Sequence, residues 1–326
     1  MDNSASPTGA APISAGRWLL LYAAAVVTVL LVPLAAFFLV DPERHELDES
    51  ARSSAPGRFV RLSDGVTHYE LGGPTASPVV VLVAGTSVPY YIWDPTFSAL
   101  VKEGYRVLRY DYYGRGYSDR PAIAYVQDLY VRQLVELLDA LEIRDPVDLM
   151  GLSFGGSVIT SVAARHPRRV RSLVYVDPAF RMPVAVSPVE TMPRVWSFMT
   201  GLLDERAWAE GQLSDFLHPD RFPDWPDRYR TQLRYRGFRQ ARLSDLVANA
   251  ELDQHDELQR VGQDGRPVLV VWGREDQNVP FELSDALLQA LPRARLVPVD
   301  DAGHLPQWEQ PTVVDDALLG FLREIG

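Results

Sequence analysis

Short apolar runs recur along most of this chain, and they constrain the fold more than anything else in it. They are PVVVLVAG (78–85), YRVLRYDYYG (105–114), PVDLMGLS (146–153), VRSLVYVDP (170–178), RPVLVVWGRED (266–276) and RARLVPVDDAG (293–303). Runs apolar at consecutive rather than alternate positions suit strands buried on both faces of a parallel sheet. Helical stretches separate them. YVQDLYVRQLVELLDALEI (125–143) places Leu129, Leu134, Leu137, Leu138 and Leu141 at helical spacing, and FGGSVITSVAARHP (154–167) follows directly on a strand-like run. Alternating strand and helix predicts an α/β domain with a mostly parallel sheet. RFVRL and VTHYEL, separated by SDG, predict a β-hairpin ahead of it.

Two stretches break this rhythm. Residues 18–40 (WLLLYAAAVVTVLLVPLAAFFLV) carry no charge. As a helix they would span roughly 35 Å, slightly more than a bilayer core. The apolar region of a cleaved signal peptide is shorter, about 7–15 residues. The run is therefore expected to be an uncleaved, single-pass transmembrane anchor, with the globular part outside the cytoplasm. The second interruption is residues 178–266, helix-like and proline-broken without a convincing strand. It reads as a helical insertion over the carboxyl end of the sheet, where open α/β sheets hold their ligands. The expected organisation is a tail (1–17), an anchor (18–40), a linker (41–57), a first core segment (58–177), a helical cap (178–266) and a second core segment (267–326).

Composition narrows the chemistry. A net charge of −11 argues against nucleic acid as a partner, and the absence of cysteine excludes disulfides, thiolate catalysis and cysteine-ligated metal. DLMGLSFGGS (148–157) encloses Ser153 in Gly151, Gly155 and Gly156 where a strand gives way to a helix. Gly-x-Ser-x-Gly in that setting is the pattern of a nucleophile elbow, a strained turn that lifts the serine hydroxyl clear of the sheet. A serine needs a base. Of six histidines, only His304 follows a strand's carboxyl end on the side where Ser153 must lie. His45, His68, His166, His218 and His255 read as structural. The base needs a carboxylate to fix its tautomer. Asp276, ending the run VLVVWGRED, is the first choice, and Asp177, ending LVYVDP, is the alternative acid.

With these residues in place, the chain resembles the α/β-hydrolase family of carboxylesterases, monoacylglycerol lipases and carbon–carbon bond hydrolases over about residues 58–326. The order Ser153, Asp276, His304 carries the resemblance, with DYYGRGYSDRP (111–121), WGREDQNVP and DAGHLPQWEQP. It implies an α/β-hydrolase core with a cap, no cofactor or metal, and an oxyanion hole made by the amides of Thr86 and Phe154. One departure is visible: where the family usually has His-Gly-x, this chain has Ala84, Gly85 and Thr86. Tyr90, Tyr91 and Trp93 are expected in the substrate pocket wall, with Met182, Trp196 and Met199 contributed by the cap.

The expected function is hydrolysis of an apolar, lipid-like carboxylic ester through an acyl-enzyme on a membrane-tethered protein. A carbon–carbon hydrolase of an oxo-acid uses the same triad and is the alternative within enzymes. A non-catalytic, membrane-anchored binding protein is the alternative outside them. Sequence leaves the oligomeric state open.

Overall fold

The computed structural model describes residues 15–39, 43, 45–183, 186–202 and 205–326. It divides into two units, 1–42 and 43–326. In the larger unit every apolar run becomes a strand. The strands are β1 (Arg58–Leu62), β2 (Gly65–Gly72), β3 (Val79–Val83), β4 (Arg106–Tyr110), β5 (Val147–Leu152), β6 (Val170–Val176), β7 (Arg181–Pro183), β8 (Glu251–Asp253), β9 (Val268–Gly273) and β10 (Arg295–Val299). Eight of them form one sheet in the order β1-β2-β4-β3-β5-β6-β9-β10. β2 pairs antiparallel with β1 and β4, and the remaining neighbours are parallel.

Every residue of β3, β5 and β9 is buried, which is why these runs show no polar alternation. Successive side chains point to opposite faces, and the core divides accordingly. Val81, Val83, Leu149, Leu173 and Val270 pack with helices Gln127–Ala140, Phe154–Arg165 and His255–Gln263. Val80, Leu82, Met150, Val174 and Leu269 pack with helices Asp94–Lys102 and Pro311–Ile325, and this second cluster continues into Phe216, Trp225, Tyr229 and Phe238 of the insertion.

The insertion differs from expectation in two respects. It does contain strands: β7 and β8 pair antiparallel, Arg181 opposite Asp253 and Pro183 opposite Glu251. It also closes earlier than residue 266. Helix His255–Gln263 belongs to the core, with Leu258 and Val261 packed there and Glu257 bonded to Ser161 and Arg165. The cap proper lies between β7 and β8.

The stretch expected to be a linker is anchored to the domain. The Glu43 carboxylate accepts the amides of Gly237 at 2.5 Å and Arg239 at 2.6 Å, with the Arg239 guanidinium 3.6 Å away. His45 forms a parallel bridge with Tyr235. Asp48 caps the helix Glu49–Ser53 through the Ala51 amide, and Arg52 pairs with Asp119. Truncation at residue 42 is expected to leave a fully folded domain. Truncation at residue 45 strands two amides and the buried Arg239, and breaking such a buried pair typically costs about 3–5 kcal/mol. Thermal melts of the two truncations should differ by roughly 5–10 °C; equal melting temperatures would show the strap to be inert.

In the smaller unit, Ala15–Leu39 forms one α-helix of 25 residues. Its described side chains, Trp18, Leu19, Leu20 and Tyr22 among them, are exposed. Side chains at 15, 30, 33, 34 and 36–39 lie outside the described residues, and within the described residues no helix is long and apolar enough to cross a membrane.

Candidate active site

Ser153 stands between β5 and the helix Phe154–Arg165 with φ 52° and ψ −122°, a conformation that side chains other than glycine rarely adopt and that recurs at functional sites. The glycines around it are required by contact. A Cβ on Gly151 would lie 2.4 Å from the Gly155 carbonyl oxygen, one on Gly155 2.3 Å from the Val83 oxygen, and one on Gly156 2.6 Å from Pro178 Cβ. The Ser153 amide donates to Val176 O at 3.0 Å, and its carbonyl accepts from Gly156 and Ala179 at 2.9 Å. The turn is thus locked into β3, β6 and the helix at once.

Asp276 follows β9 and His304 follows β10, so the parallel sheet delivers all three groups to one edge. His304 Nδ1 lies 2.8 Å from Asp276 Oδ2. The other Asp276 oxygen accepts the amides of Asn278 at 2.8 Å and Val279 at 3.0 Å. Burial opposes protonation of His304, but the charge and hydrogen bond of Asp276 and the charge of Asp215 outweigh it, leaving the imidazole above its ordinary pKa. Asp177, at the end of β6, is buried and accepts the Gly273 amide at 2.9 Å. Its partner is a backbone amide, whereas the carboxylate bonded to His304 is that of Asp276.

Thr86 lies on the loop after β3, and Phe154 opens the helix after Ser153, where amides lack helical partners. This loop is braced from two sides. Arg115 Nε donates to Thr86 O while its guanidinium pairs with Asp245 at 3.0 Å. Gln232 of the cap donates to Ser87 O at 3.0 Å and accepts the Gly116 amide at 3.1 Å. A cavity of about 380 Å³ joins Gly85, Thr86, Ser153 and His304 with Val88, Ile92, Asp215 and Val279.

Residues 80–317 match the model of the alpha/beta hydrolase family. The chain is 34% identical over 67% of its length to 2-hydroxymuconate semialdehyde hydrolase of Pseudomonas sp. (strain CF600), covering 77% of that protein. It is 31% identical over 78% of its length to 2-hydroxy-6-oxo-2,4-heptadienoate hydrolase of Pseudomonas putida, covering 91% of it. The crystal structure of the enol-lactonase from Burkholderia xenovorans LB400 superposes with a TM-score of 0.71 at 25% identity, over 82% of this chain and all of that one. The chain belongs to the alpha/beta hydrolase family.

In this hydrolase the aromatic residues expected to line the pocket are used elsewhere. Residues Tyr90–Trp93 form a 3₁₀ turn. Trp93 is fully buried in the core, while Tyr90 and Tyr91 line a separate cavity of about 370 Å³ with His68, Arg109 and Arg228. Val88 and Ile92, on the same segment, face the nucleophile instead. Trp196 packs edge-on against Trp208 within the cap, and Met199 is about half exposed. The Met182 side chain lies outside the described residues. Asp215, unremarkable in sequence, is the cap's contribution. Its backbone oxygen accepts the His304 amide at 2.9 Å, its carboxylate accepts from Asn278 at 2.7 Å, and burial raises its pKa despite His304 and Asn278.

The hydrolase also explains how the loop tolerates Ala84 in place of histidine: Arg115 and Gln232 fix the carbonyls of residues 86 and 87 from outside. Thr86 Oγ1 has no hydrogen-bond partner among the described residues, so its hydroxyl is available to an oxyanion. Losing a side-chain donor of this kind costs about 3 kcal/mol in a studied protease. Thr86→Val is expected to lower kcat by roughly ten- to a thousandfold with KM nearly unchanged. Kinetics beside Thr86→Ser check this; unchanged turnover in the valine variant leaves the two amides as the whole hole.

Proposed function

We propose that this chain hydrolyses a carbon–carbon bond of an oxo-acid, with Ser153 as nucleophile, His304 as proton carrier and Asp276 as its orienting anion. The reading rests on the geometry of Ser153, Asp276 and His304 together with the names of the two relatives described above, both hydrolases of oxo-acid type. Sequence alone ranked this second to ester hydrolysis; the relatives reverse that order.

The 2-hydroxydienoate first takes its 2-oxo tautomer, the hydroxyl losing a proton as C5 gains one; Ser153 Oγ then adds to the 6-ketone as His304 takes its proton, and the carbonyl oxygen becomes an oxyanion facing Thr86 and Phe154. Collapse breaks the adjacent carbon–carbon bond. The electron pair leaves as a carbanion delocalised into the conjugated 2-oxo acid, and His304 returns the proton to it. Water, activated by the same imidazole, then releases the acyl group as a carboxylic acid.

The test compares a 2-hydroxy-6-oxo-dienoate with a series of nitrophenyl esters. A clearly higher kcat/KM on the dienoate supports the proposal. Turnover of esters alone replaces it with ester or lactone hydrolysis. That second reading is favoured by Asp215 in the cavity wall, by the lack of arginine or lysine among the described lining residues, and by the likeness to the enol-lactonase.

We further infer that helix Ala15–Leu39 tethers the hydrolase to a membrane, with the catalytic unit outside the cytoplasm. The charge-free run 18–40 and the 25-residue helix support this. Flotation of the full chain with vesicles, against none for the chain truncated at 42, is the expected result. Protease protection in intact cells reads the side.

A further inference from the structure

We propose that Asp177 is a proton-bearing positioning residue: a neutral carboxylic acid whose O–H takes the Asp276 carboxylate as its acceptor and keeps that carboxylate charged against His304. The inference rests on the triad reading above and assigns a state to a fourth member.

Geometry carries it. One oxygen each from Asp177 and Asp276 and one nitrogen of His304 lie within 4.8 Å of one another, all buried. The donors are unequally shared. Asp276 accepts from His304 and from two amides, a set suited to an anion. Asp177 Oδ1 accepts a single amide, that of Gly273, while the buried Oδ2 receives no donor among the described residues. Two buried carboxylates this close cannot both ionise without a cation between them, and neither is paired with arginine or lysine among the described residues. The other titratable groups facing this cluster are Asp215, from the cap beside His304, and Glu309, from helix Pro306–Glu309. Both are acids and add to the pressure. The proton therefore belongs on the carboxyl with fewer donors, Asp177, whose neighbouring acceptor is the Asp276 carboxylate. Burial, then the neighbouring Asp276 charge, push Asp177 well above the usual carboxylate range.

The shape of Asp177 fits the role. It sits at φ 43° directly after β6, which turns its side chain towards the start of the Asp276 loop at Gly273. An amide has the same shape and can also accept from Gly273 while donating to Asp276. Asp177→Asn is thus an isostere of the state proposed, and Asp177→Leu removes both bonds.

The experiment has two arms. In the first, difference infrared spectra of the full-length wild type against Asp177→Asn should show a protonated carboxyl band that persists above the pH range in which ordinary carboxyls ionise, and is missing in the variant. In the second, pH profiles of kcat/KM should show the acid limb of Asp177→Asn within about 0.3 units of wild type, because no charge has been removed. Asp177→Leu should lose at least about tenfold in kcat/KM. A missing band, or an Asn limb lowered by roughly 1–3 units as loss of a nearby anion requires, overturns the proposal. If no substrate is turned over, the infrared arm still decides. If Asp177→Asn fails to fold, the wild-type pH titration of the band decides alone.

Discussion

Ser153→Ala will lower kcat on the order of a millionfold while leaving KM within a few-fold. That is the scale on which removing a serine nucleophile acts in a studied protease, where only the oxyanion hole and binding remain. Alanine occupies the same φ 52° turn with no new contact, because the glycines, not the serine side chain, relieve the crowding there. The cavity holds two other hydroxyls, Thr86 and Ser87, but neither stands on the strained strand-to-helix turn that Ser153 occupies. The backbone amides of Thr86 and Phe154 stay in place, so substrate should still bind. Steady-state kinetics and labelling with a fluorophosphonate probe check this. Labelling that survives in Ser153→Ala would move the nucleophile elsewhere. A wild type that is never labelled would favour a binding protein built on the same frame.

Asp276→Asn should lower kcat about 10⁴-fold with the fold intact, the magnitude seen when the orienting acid of a serine triad becomes an amide. The asparagine oxygen can keep the Asn278 and Val279 amides, so the loop after β9 is held. Its NH₂, however, then faces His304 Nδ1 and drives the ring proton to Nε2, the wrong nitrogen for accepting from Ser153. The pH profile moves as well. Asp276 and Asp215 together lift His304 against burial. Without the Asp276 anion burial gains ground, and the acid limb of residual kcat/KM should shift to lower pH. Profiles and thermal melts of Asp276→Asn beside Asp177→Asn measure both effects. If the Asp177 variant proved the more damaged, the acid role would pass to Asp177.

The strands and the turn at Ser153 were legible because each leaves a local mark. A strand buried on both faces is apolar at every position, as in residues 79–83, and an elbow needs glycine wherever a backbone oxygen lies within 2.4 Å of the missing Cβ, as at Gly151 and Gly155. β7 and β8 leave no such mark. Each is three residues long and finds its partner about 70 positions away, so neither has a pattern of its own. The pocket aromatics were misassigned for a related reason. Tyr90, Tyr91 and Trp93 are near Ser153 in sequence order along the fold, but the 3₁₀ turn directs them away and presents Val88 and Ile92. Asp215 sits in the cap outside any motif, and only the folded chain shows that it meets His304. The strap at Glu43 and His45 looked like a linker because its partners are backbone groups near residues 234–239, which side-chain patterning cannot announce.

The pairing of β7 with β8 has an evolutionary consequence. Pro183 and Glu251 face each other across one strand spacing, so the chain leaves the core and returns to it at almost the same point. Everything between them leaves and re-enters through one strand pair, yet Gln232, Asp245 and Asp215 of that segment hold the Ser87 carbonyl, Arg115 and the His304 amide. Ser153, Asp276 and His304 all lie outside it. A lineage that exchanges its substrate roof at these two neighbouring points must therefore supply new partners for the Ser87 carbonyl, Arg115 and the His304 amide as well.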